Sequence, residues 1–342
     1  MSHVNNNKLT KHYWVWPIAW YLFLGGLGGG TLTVAGVLDF VFRRGVEVEG
    51  VSSGPLPEVG AVFALAVFAA VAFLGIGSFL LIFELGQPKV FLRVFLSRTA
   101  IIKYGACLLI LAMGFGFVYF LFFLPPEWNL FYYSWTWLRD ICCFCMMLFG
   151  ASVMIYTGVL LSSMKSKPFW NTPALPVLFT VSALSTATAL IALTAGMWPA
   201  TAFAFAPVEA HAVTEVIVEN LHSIDAVLVI TEIVVLVVYV LMMYGAGDVT
   251  ARAVATKWLR GPFALPFWGG MIVVGLFVPF CSYLTGGLMA EAVAPVLVLA
   301  TGLLLRFLIV YSDARRVIPG EERYWARVPK GDEAYLTAWK WE

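Results

Sequence analysis

Charge is scarce in this chain, and the scarcity excludes the largest class of proteins. Only 12% of the 342 residues are Asp, Glu, Lys or Arg, whereas soluble globular domains carry about 25%. Hydrophobic residues make up 61% of the sequence, and the mean hydropathy is +0.89. The sequence therefore predicts a protein that lies in the lipid membrane, and we expect no nucleic-acid partner.

Histidine and cysteine, the usual ligands of haem, zinc and iron–sulfur clusters, are also scarce. A bis-histidine haem needs two facing intramembrane histidines, and of the four histidines only His222 falls within an apolar stretch. The five cysteines include Cys142, Cys143 and Cys145, but C-C-x-C matches no usual zinc or cluster spacing. We interpret the cysteines as small buried hydrophobes. We expect no haem, cluster or other metal in this chain, so any electrons must come from a partner.

Long apolar runs are abundant, and they predict an all-α polytopic membrane protein. About 20 apolar residues in a helix cross the hydrocarbon core, and lipid offers no partner for a free backbone amide, so the runs must be helical. Eight spans bring both termini to one face, here named side A; the opposite face is side B. The predicted spans are residues 14–42, 58–85, 100–124, 138–164, 173–196, 217–244, 264–286 and 289–312.

The spans divide the sequence into two predicted four-helix bundles, residues 14–164 and 165–312, between tails at 1–13 and 313–342. The glycine-rich run 25–30 lies inside the first span. A phosphate-binding loop is a weak interpretation of this run, because no strand precedes it. We interpret it instead as a site of close helix packing through small residues.

Basic residues are distributed unequally between the two faces. Seventeen Lys and Arg residues fall on side A, three fall on side B, and Arg306 lies within the last span. Cytoplasmic loops carry an excess of Lys and Arg, so side A and both termini are predicted to be cytoplasmic in a prokaryotic cell membrane. The alternative is that the basic loops of side A dock an acidic partner outside the cytoplasm.

Four titratable residues recur on one face of the sixth span. Glu219, His222, Asp225 and Glu232 follow at intervals of 3, 3 and 7, which places them within an arc of roughly 140° on a helix. A charged group at the bilayer centre costs about 2.5–3.5 kcal/mol on insertion scales. One interpretation is a proton path that also includes Arg306. The other is a buried structural network in which Arg306 pairs with Glu232.

A second group of polar and aromatic side chains lies where spans end on side A. An aromatic wall with a few polar groups suits an amphipathic ring with an apolar tail, and a quinone is such a ligand. Structural alternatives are an interfacial belt for the tryptophans, pairing with Arg93 for Glu84, and a core position for Tyr156. The candidate quinone-binding residues are Trp20, Tyr21, Glu84, Lys103, Tyr156 and Asn171.

At these residues the sequence resembles the NrfD/PsrC family, the membrane subunits of polysulfide reductase-like complexes. The first matching segment is ELGQP at residues 84–88. The second, within residues 156–176, combines Y-x-G-x-L-L with KPFWNTPALP. The third is Asp225 together with Glu232. The resemblance covers nearly all of residues 14–312, and the PFWN sequence is its most specific part.

The resemblance implies a quinone-binding anchor without a redox cofactor of its own, and thus a non-catalytic or quinone-reactive subunit. Such subunits dock a ferredoxin-like 4Fe-4S subunit, which connects them to a molybdopterin catalytic subunit. By position, the resemblance implies a menaquinone-type pocket at Tyr21, Glu84 and Tyr156. Tyr156 would donate to a quinone carbonyl, and Glu84 would handle protons. Some members use a His and an Asn in the first span, where this protein has Ile18 and Tyr21.

A secondary transporter of protons or a small anion, without redox chemistry, is the alternative function. The polar stripe of the sixth span and the proline-started spans also support it. Against it, the sequence has no clear internal repeat and no unwound pair of mid-span segments, which are features of many transporters.

Overall fold

The computed structural model describes residues 16–43, 59–84, 101–124, 135–195, 197, 207–245, 248–287 and 289–314. The predicted tail 1–13, nearly all of the tail 313–342 and the side chain of Glu84 lie outside the described residues.

Every regular element among the described residues is a helix, and eight of the helices are long and apolar enough to cross a membrane. The prediction of an all-α protein with eight spans is therefore confirmed. The spans are α1 Trp16–Phe42, α2 Gly60–Glu84, α3 Ile101–Leu121, α4 Thr136–Ser162, α5 Ala174–Thr194, α6 Pro207–Gly245, α8 Pro266–Thr285 and α9 Met289–Val310.

A shorter helix, α7 Val249–Arg260, was not predicted. Its start is marked by Asp248, whose side chain accepts a hydrogen bond from the backbone amide of Thr250 at 2.9 Å. Its buried residues at 251, 254, 255 and 258 follow the helical spacing of an amphipathic segment. Both signals are present in the sequence.

Helix α8 and helix α9 each begin with π-helical geometry. Residues Pro266–Phe277 are π-helical and continue as the α-helical Val278–Thr285, while Met289–Val293 precedes the α-helical Ala294–Val310. The two helices meet at Gly275, where an added Cβ would lie 1.9 Å from a side-chain oxygen of α9. The absence of a side chain at Gly275 therefore lets α8 lie directly against α9.

Helix α1 is the centre of the fold, and its glycines determine how closely its neighbours approach. A Cβ added to Gly28, Gly29 or Gly30 would lie 2.9, 2.7 or 2.6 Å from a backbone carbonyl oxygen of α2, α4 or α5, respectively. These distances are too short for any side chain larger than hydrogen. The interpretation of the glycine-rich run as a site of close helix packing is confirmed.

Both halves of the protein pack on α1. It contacts α2 and α4 from the first half, and α5 and α9 from the second. Helix α5 also packs against α4, α6 and α9. The division into two four-helix bundles at residues 164 and 165 therefore stays a prediction, because the halves share a wide interface along α1 and α5.

The PFWN sequence forms a structural connection at side A. Phe169 and Trp170 are fully buried. The Trp170 indole donates to the Ile309 carbonyl at 2.9 Å, and the Tyr239 hydroxyl donates to the Phe169 carbonyl at 2.6 Å. This loop thus joins α6 and the end of α9.

A lysine beside this connection is partly withdrawn from water. Lys167 forms an ion pair with Asp313 at 3.2 Å. The pKa of the Lys167 amino group is nevertheless lowered, because burial disfavours its charge more than Asp313 favours it. The pair lies where the loop before α5 meets the end of α9, so it supports the same junction.

Replacing Gly29 by alanine tests the packing of α1. The added methyl group would meet the Gly150 carbonyl oxygen of α4 at 2.7 Å, so we expect a loss of about 1–3 kcal/mol of stability from overpacking. The measurement is the thermal unfolding midpoint of the detergent-solubilised protein. The matched control is Gly114→Ala, because nothing lies within 4 Å of a Cβ added there. Equal midpoints for the two variants would contradict the proposed packing.

Candidate functional site

A cavity of about 220 Å³ lies between α1, α2, α3 and α4 at their side-A ends. Tyr21, Ser78 and Tyr156 are its polar lining residues. The Ser78 hydroxyl already donates to the Leu74 carbonyl of its own helix at 2.7 Å, which leaves the two tyrosine hydroxyls for a ligand. The rest of the lining is apolar: Leu81, Ile82, Ile102, Ala106, Leu109, Ile110 and Met113.

The two tyrosines come from different helices and are held in place by close packing. Tyr21 is 2% exposed and Tyr156 is 8% exposed, and the two side chains lie close enough to interact electrostatically. Gly105 of α3 makes room for the Tyr156 ring, because a Cβ there would lie 2.0 Å from the ring's Cζ atom. The structure therefore brings together two of the predicted quinone-binding residues in one cavity.

Three other predicted residues lie outside the lining of this cavity. The Trp20 ring packs edge-on against Phe307 of α9, with ring centroids 6.4 Å apart. Lys103 follows a lining residue of α3 but does not itself line the cavity. The Asn171 side-chain amide donates to the Ser162 carbonyl at 2.9 Å and so caps the end of α4. Quinone binding by these residues stays a prediction.

A buried carboxyl group, Asp225, is the centre of a polar cluster between α5, α6 and α8. It is 1% exposed. One of its oxygens accepts hydrogen bonds from the Ser185 hydroxyl at 2.7 Å and the Thr188 hydroxyl at 3.0 Å. The other accepts from the Tyr283 hydroxyl at 2.7 Å. Three hydroxyl donors therefore compensate for the loss of water around this carboxyl group.

A larger cavity of about 810 Å³ opens at the side-B ends of α5, α6, α8 and α9, and we name it the side-B vestibule. Glu215, Glu219 and Glu291 are among its lining residues, and it has no Lys or Arg in its described lining. The His222 ring stacks on the Tyr283 ring with centroids 5.3 Å apart. Since Tyr283 also binds Asp225, an acidic cavity is connected to the buried carboxyl group by one side chain.

Glu232 and Arg306 lie deeper in the same half. Glu232 is 3% exposed, and its Oε1 atom has no hydrogen-bond partner among the described residues. Arg306 is fully buried and donates to the Ser182 hydroxyl and to the carbonyls of Gly302, at 3.1 Å, and Phe179, at 3.2 Å. No ion pair within 4.0 Å joins Arg306 to Glu232 in the described structure, although the two side chains lie close enough to interact electrostatically.

The sequence pattern identified the α6 members of this cluster but missed those of α5 and α8. Ser182, Ser185 and Thr188 recur at every third residue of an apolar span, and hydroxyl groups at that spacing lie on one helix face. This pattern was the available signal. The sequence offers no comparable signal for Tyr283, because its role depends on how α8 packs against α6.

A second buried carboxyl group, in the first half, was also missed. Asp39 of α1 is fully buried and pairs with Arg43, which also binds Asp140 of α4. The Cys143 thiol donates to Asp39 at 3.4 Å. The i,i+4 spacing of Asp39 and Arg43 was the sequence signal. These contacts connect α1 to α4 near side B.

The potential metal ligands of the protein are dispersed. Among the described residues, no three His, Cys, Asp or Glu side chains are placed to hold a metal ion. The five cysteines are free thiols.

The comparisons with known proteins agree with one another. Residues 4–317 match the family described as "Polysulphide reductase, NrfD". The C subunit of polysulfide reductase from Wolinella succinogenes is 29% identical over 329 residues, which cover 87% of this sequence and 93% of that protein. "Protein NrfD" of Escherichia coli is 30% identical over 325 residues, covering 87% and 94%. "Protein NrfD homolog" of Haemophilus influenzae is 25% identical over 288 residues, covering 79% and 82%.

A double-mutant cycle tests whether Glu232 and Arg306 are energetically coupled. Arg306→Met removes the buried positive charge nearest to Glu232, and we expect a loss of about 3–5 kcal/mol of stability. In the double variant that adds Glu232→Met, we expect the loss to be smaller by about 1–3 kcal/mol, because no uncompensated charge remains. The measurement is the thermal unfolding midpoint of all four proteins in detergent. Additive effects of the two substitutions would show that the residues are independent.

Proposed function

The chain belongs to the NrfD family, and on that premise we propose that it is the membrane anchor and quinone-binding subunit of a respiratory oxidoreductase. The proposed partners are a ferredoxin-like 4Fe-4S subunit and a molybdopterin catalytic subunit. The Wolinella succinogenes relative is named as the C subunit of polysulfide reductase, and that designation implies partner subunits. In this proposal electrons pass between the iron–sulfur partner and a quinone, with menaquinone the expected type.

The cavity between Tyr21 and Tyr156 is the observation that carries the proposal. Its volume is about 220 Å³. Pockets that enclose whole drug-sized ligands are larger, with volumes of about 300–1,000 Å³. It therefore suits the headgroup of a quinone, with the apolar tail extending into lipid. An apolar wall with two hydroxyl groups matches a ring that is hydrophobic on its faces and polar at its carbonyl oxygens.

The tyrosines would orient the quinone and donate hydrogen bonds to it. In the described structure, neither Tyr21 nor Tyr156 makes a hydrogen bond to another side chain or carbonyl, so both hydroxyls can donate to a ligand. A donor at a quinone carbonyl stabilises the negative charge that develops there during reduction. Glu84, at the end of α2, is proposed to exchange protons with this cavity.

The position of the cavity determines where the iron–sulfur partner would bind. Because the cavity lies at the side-A ends of four helices, a partner cluster must approach from side A. Side A is also the basic face, so we propose that it is the cytoplasmic face and that both termini lie there.

The second half of the protein is proposed to conduct protons between side B and the interior. Reduction of a quinone consumes two electrons and two protons, and reoxidation releases them. The proposed route begins at Glu219 and His222 in the side-B vestibule and reaches Asp225 through the Tyr283 hydroxyl, which donates to it at 2.7 Å. Further inward, Arg306 donates to the Ser182 hydroxyl, and Glu232 lies close enough to Arg306 to interact electrostatically. Turnover at side A would then move protons at side B.

Two variants that disturb the tyrosine cavity in different ways test the quinone site. Tyr156→Phe removes one hydroxyl, and Gly105→Ala displaces the Tyr156 ring through a contact of 2.0 Å. We expect each to lower quinone-dependent turnover of the purified complex by about tenfold or more, because a donor to the carbonyl is lost or misplaced. The measurement uses a water-soluble menaquinone analogue as substrate.

The matched control for these variants is Gly114→Ala, which lies on α3 together with Gly105. We expect this control to retain quinone turnover. Dye-linked activity, which bypasses the membrane subunit, should be unchanged in all three variants. Wild-type quinone turnover in both Tyr156→Phe and Gly105→Ala would overturn the assignment of the cavity.

Glu232→Gln tests the proposed proton route. The substitution keeps the shape of the side chain but removes its ability to carry a proton, so we expect slower quinone turnover and reduced proton movement in vesicles, with the complex still assembled. Glu215→Gln is the control. Glu219 and Glu291 also line the vestibule, so the vestibule stays acidic when the carboxyl group of Glu215 is lost. Unchanged turnover together with unchanged proton movement in Glu232→Gln would remove this residue from the route.

A further inference from the structure

Helix α7 has one face buried in the protein and one face that is exposed and basic. It contains no Asp or Glu. The side chain of the preceding residue, Asp248, caps the helix by accepting from the Thr250 amide. The buried residues are Ala251, Val254, Ala255 and Trp258, and the exposed basic residues are Arg252, Lys257 and Arg260.

The helix lies at the side-A ends of the spans. It begins four residues after the end of α6 at Gly245 and ends six residues before the start of α8 at Pro266. The Trp258 indole donates to the Ser312 hydroxyl, just beyond α9, at 2.7 Å. These connections fix α7 at the level where spans α6, α8 and α9 leave the membrane.

Exposed apolar side chains flank the basic face on both sides. Leu241 and Tyr244 are 62% and 43% exposed at the end of α6, and Val249 is 83% exposed at the start of α7. On the other side, Leu265 and Trp268 are 81% and 49% exposed. Large apolar side chains at the end of a membrane span face lipid, and aromatic ones lie at the headgroup level. The basic face therefore borders the lipid.

We propose that α7 binds an anionic phospholipid. The phosphate headgroup would lie against Arg252, Lys257 and Arg260, and the acyl chains would cover the apolar side chains beside them. The Arg252 guanidinium lies 5.2 Å from the centre of the Tyr244 ring, so it is held where the basic residues of α7 meet the exposed apolar side chains of α6. A basic helix face at a membrane surface attracts anionic lipids.

A lipid fits this surface better than an acidic protein or a free phosphate ion does. A water-soluble partner docked on side A would not reach Leu241, which is exposed one turn before the end of α6, and inorganic phosphate would not contact the apolar side chains. A phospholipid satisfies both parts of the surface at once. Because Trp258 connects α7 to the end of α9, lipid bound here would also stabilise the side-A junction of the second half.

The test compares phosphatidylglycerol with phosphatidylcholine on the full-length protein, or its native complex, in neutral detergent. Native mass spectrometry measures bound lipid, and the thermal unfolding midpoint measures its effect. The wild type should bind phosphatidylglycerol and gain stability from it, with little response to phosphatidylcholine. In the Arg252→Ala/Lys257→Ala/Arg260→Ala variant, affinity for phosphatidylglycerol should fall by about tenfold or more.

Two further variants keep the test decisive. Arg252→Lys/Arg260→Lys preserves the positive charge and should retain most of the lipid binding. Lys165→Ala removes an exposed charge that is also on side A but outside α7, and this variant should bind lipid as the wild type does. If the triple variant does not fold, the single substitutions are compared, each with a smaller expected loss.

Four results would overturn the proposal. They are undiminished phosphatidylglycerol binding by the neutralised variants, an equal response to phosphatidylcholine, an equal stabilisation by inorganic phosphate, or loss of a co-purifying partner subunit while lipid binding is kept. The last result would assign the face to a protein partner.

Discussion

The close approach of α1 to its neighbours is the constraint on which the rest of the structure depends. Three successive glycines face three different helices, because successive residues are rotated by about 100°. Helix α1 can therefore lie against α2, α4 and α5 at backbone distance. Tyr21 is on the same helix, and Arg306 lies 3.4 Å from a Cβ built on Gly26. The cavity at Tyr21 and the buried Arg306 are thus both positioned by α1. This helix consists of glycines where its neighbours approach most closely.

The two carboxyl groups of α6 differ in how well the protein compensates for their burial. Asp225 accepts three hydrogen bonds from hydroxyl donors, so its environment resembles a stable structural cluster. Glu232 has an oxygen without a partner among the described residues and no ion pair. An under-compensated buried carboxyl group costs stability. The structural interpretation therefore explains Asp225 better than Glu232, and the proposed proton route is the better explanation for Glu232.

Sequence periodicity predicted features that belong to a single helix, and it missed those that depend on how two helices pack together. Hydropathy located the eight spans, and the α6 stripe follows from helical geometry. Trp20 and Tyr21 were both predicted to bind quinone. Adjacent residues of a helix point about 100° apart, and of the two only Tyr21 lines the cavity; quinone binding by Trp20 stays a prediction. Asn171 was predicted to bind quinone, and in the structure its amide caps α4; quinone binding by Asn171 stays a prediction. These outcomes depend on which helices become neighbours, and local patterns carry no information about that.

The two candidate regions approach each other along one short segment of α1. Tyr21 and Gly26 are five residues apart, which is about 7.5 Å along a helix axis. Between them, Gly25 faces Thr157 of α4, at 3.2 Å from a built Cβ, and Thr157 follows Tyr156 in the sequence. Protons that reach Arg306 from side B would have to cross this interval to arrive at the tyrosine cavity. In the proposed function, any coupling of quinone chemistry to proton movement would therefore depend on the packing of α1 against α4 at this point. Gly25 and Gly26 leave room in this interval for Thr157 of α4 and for the Arg306 side chain, respectively.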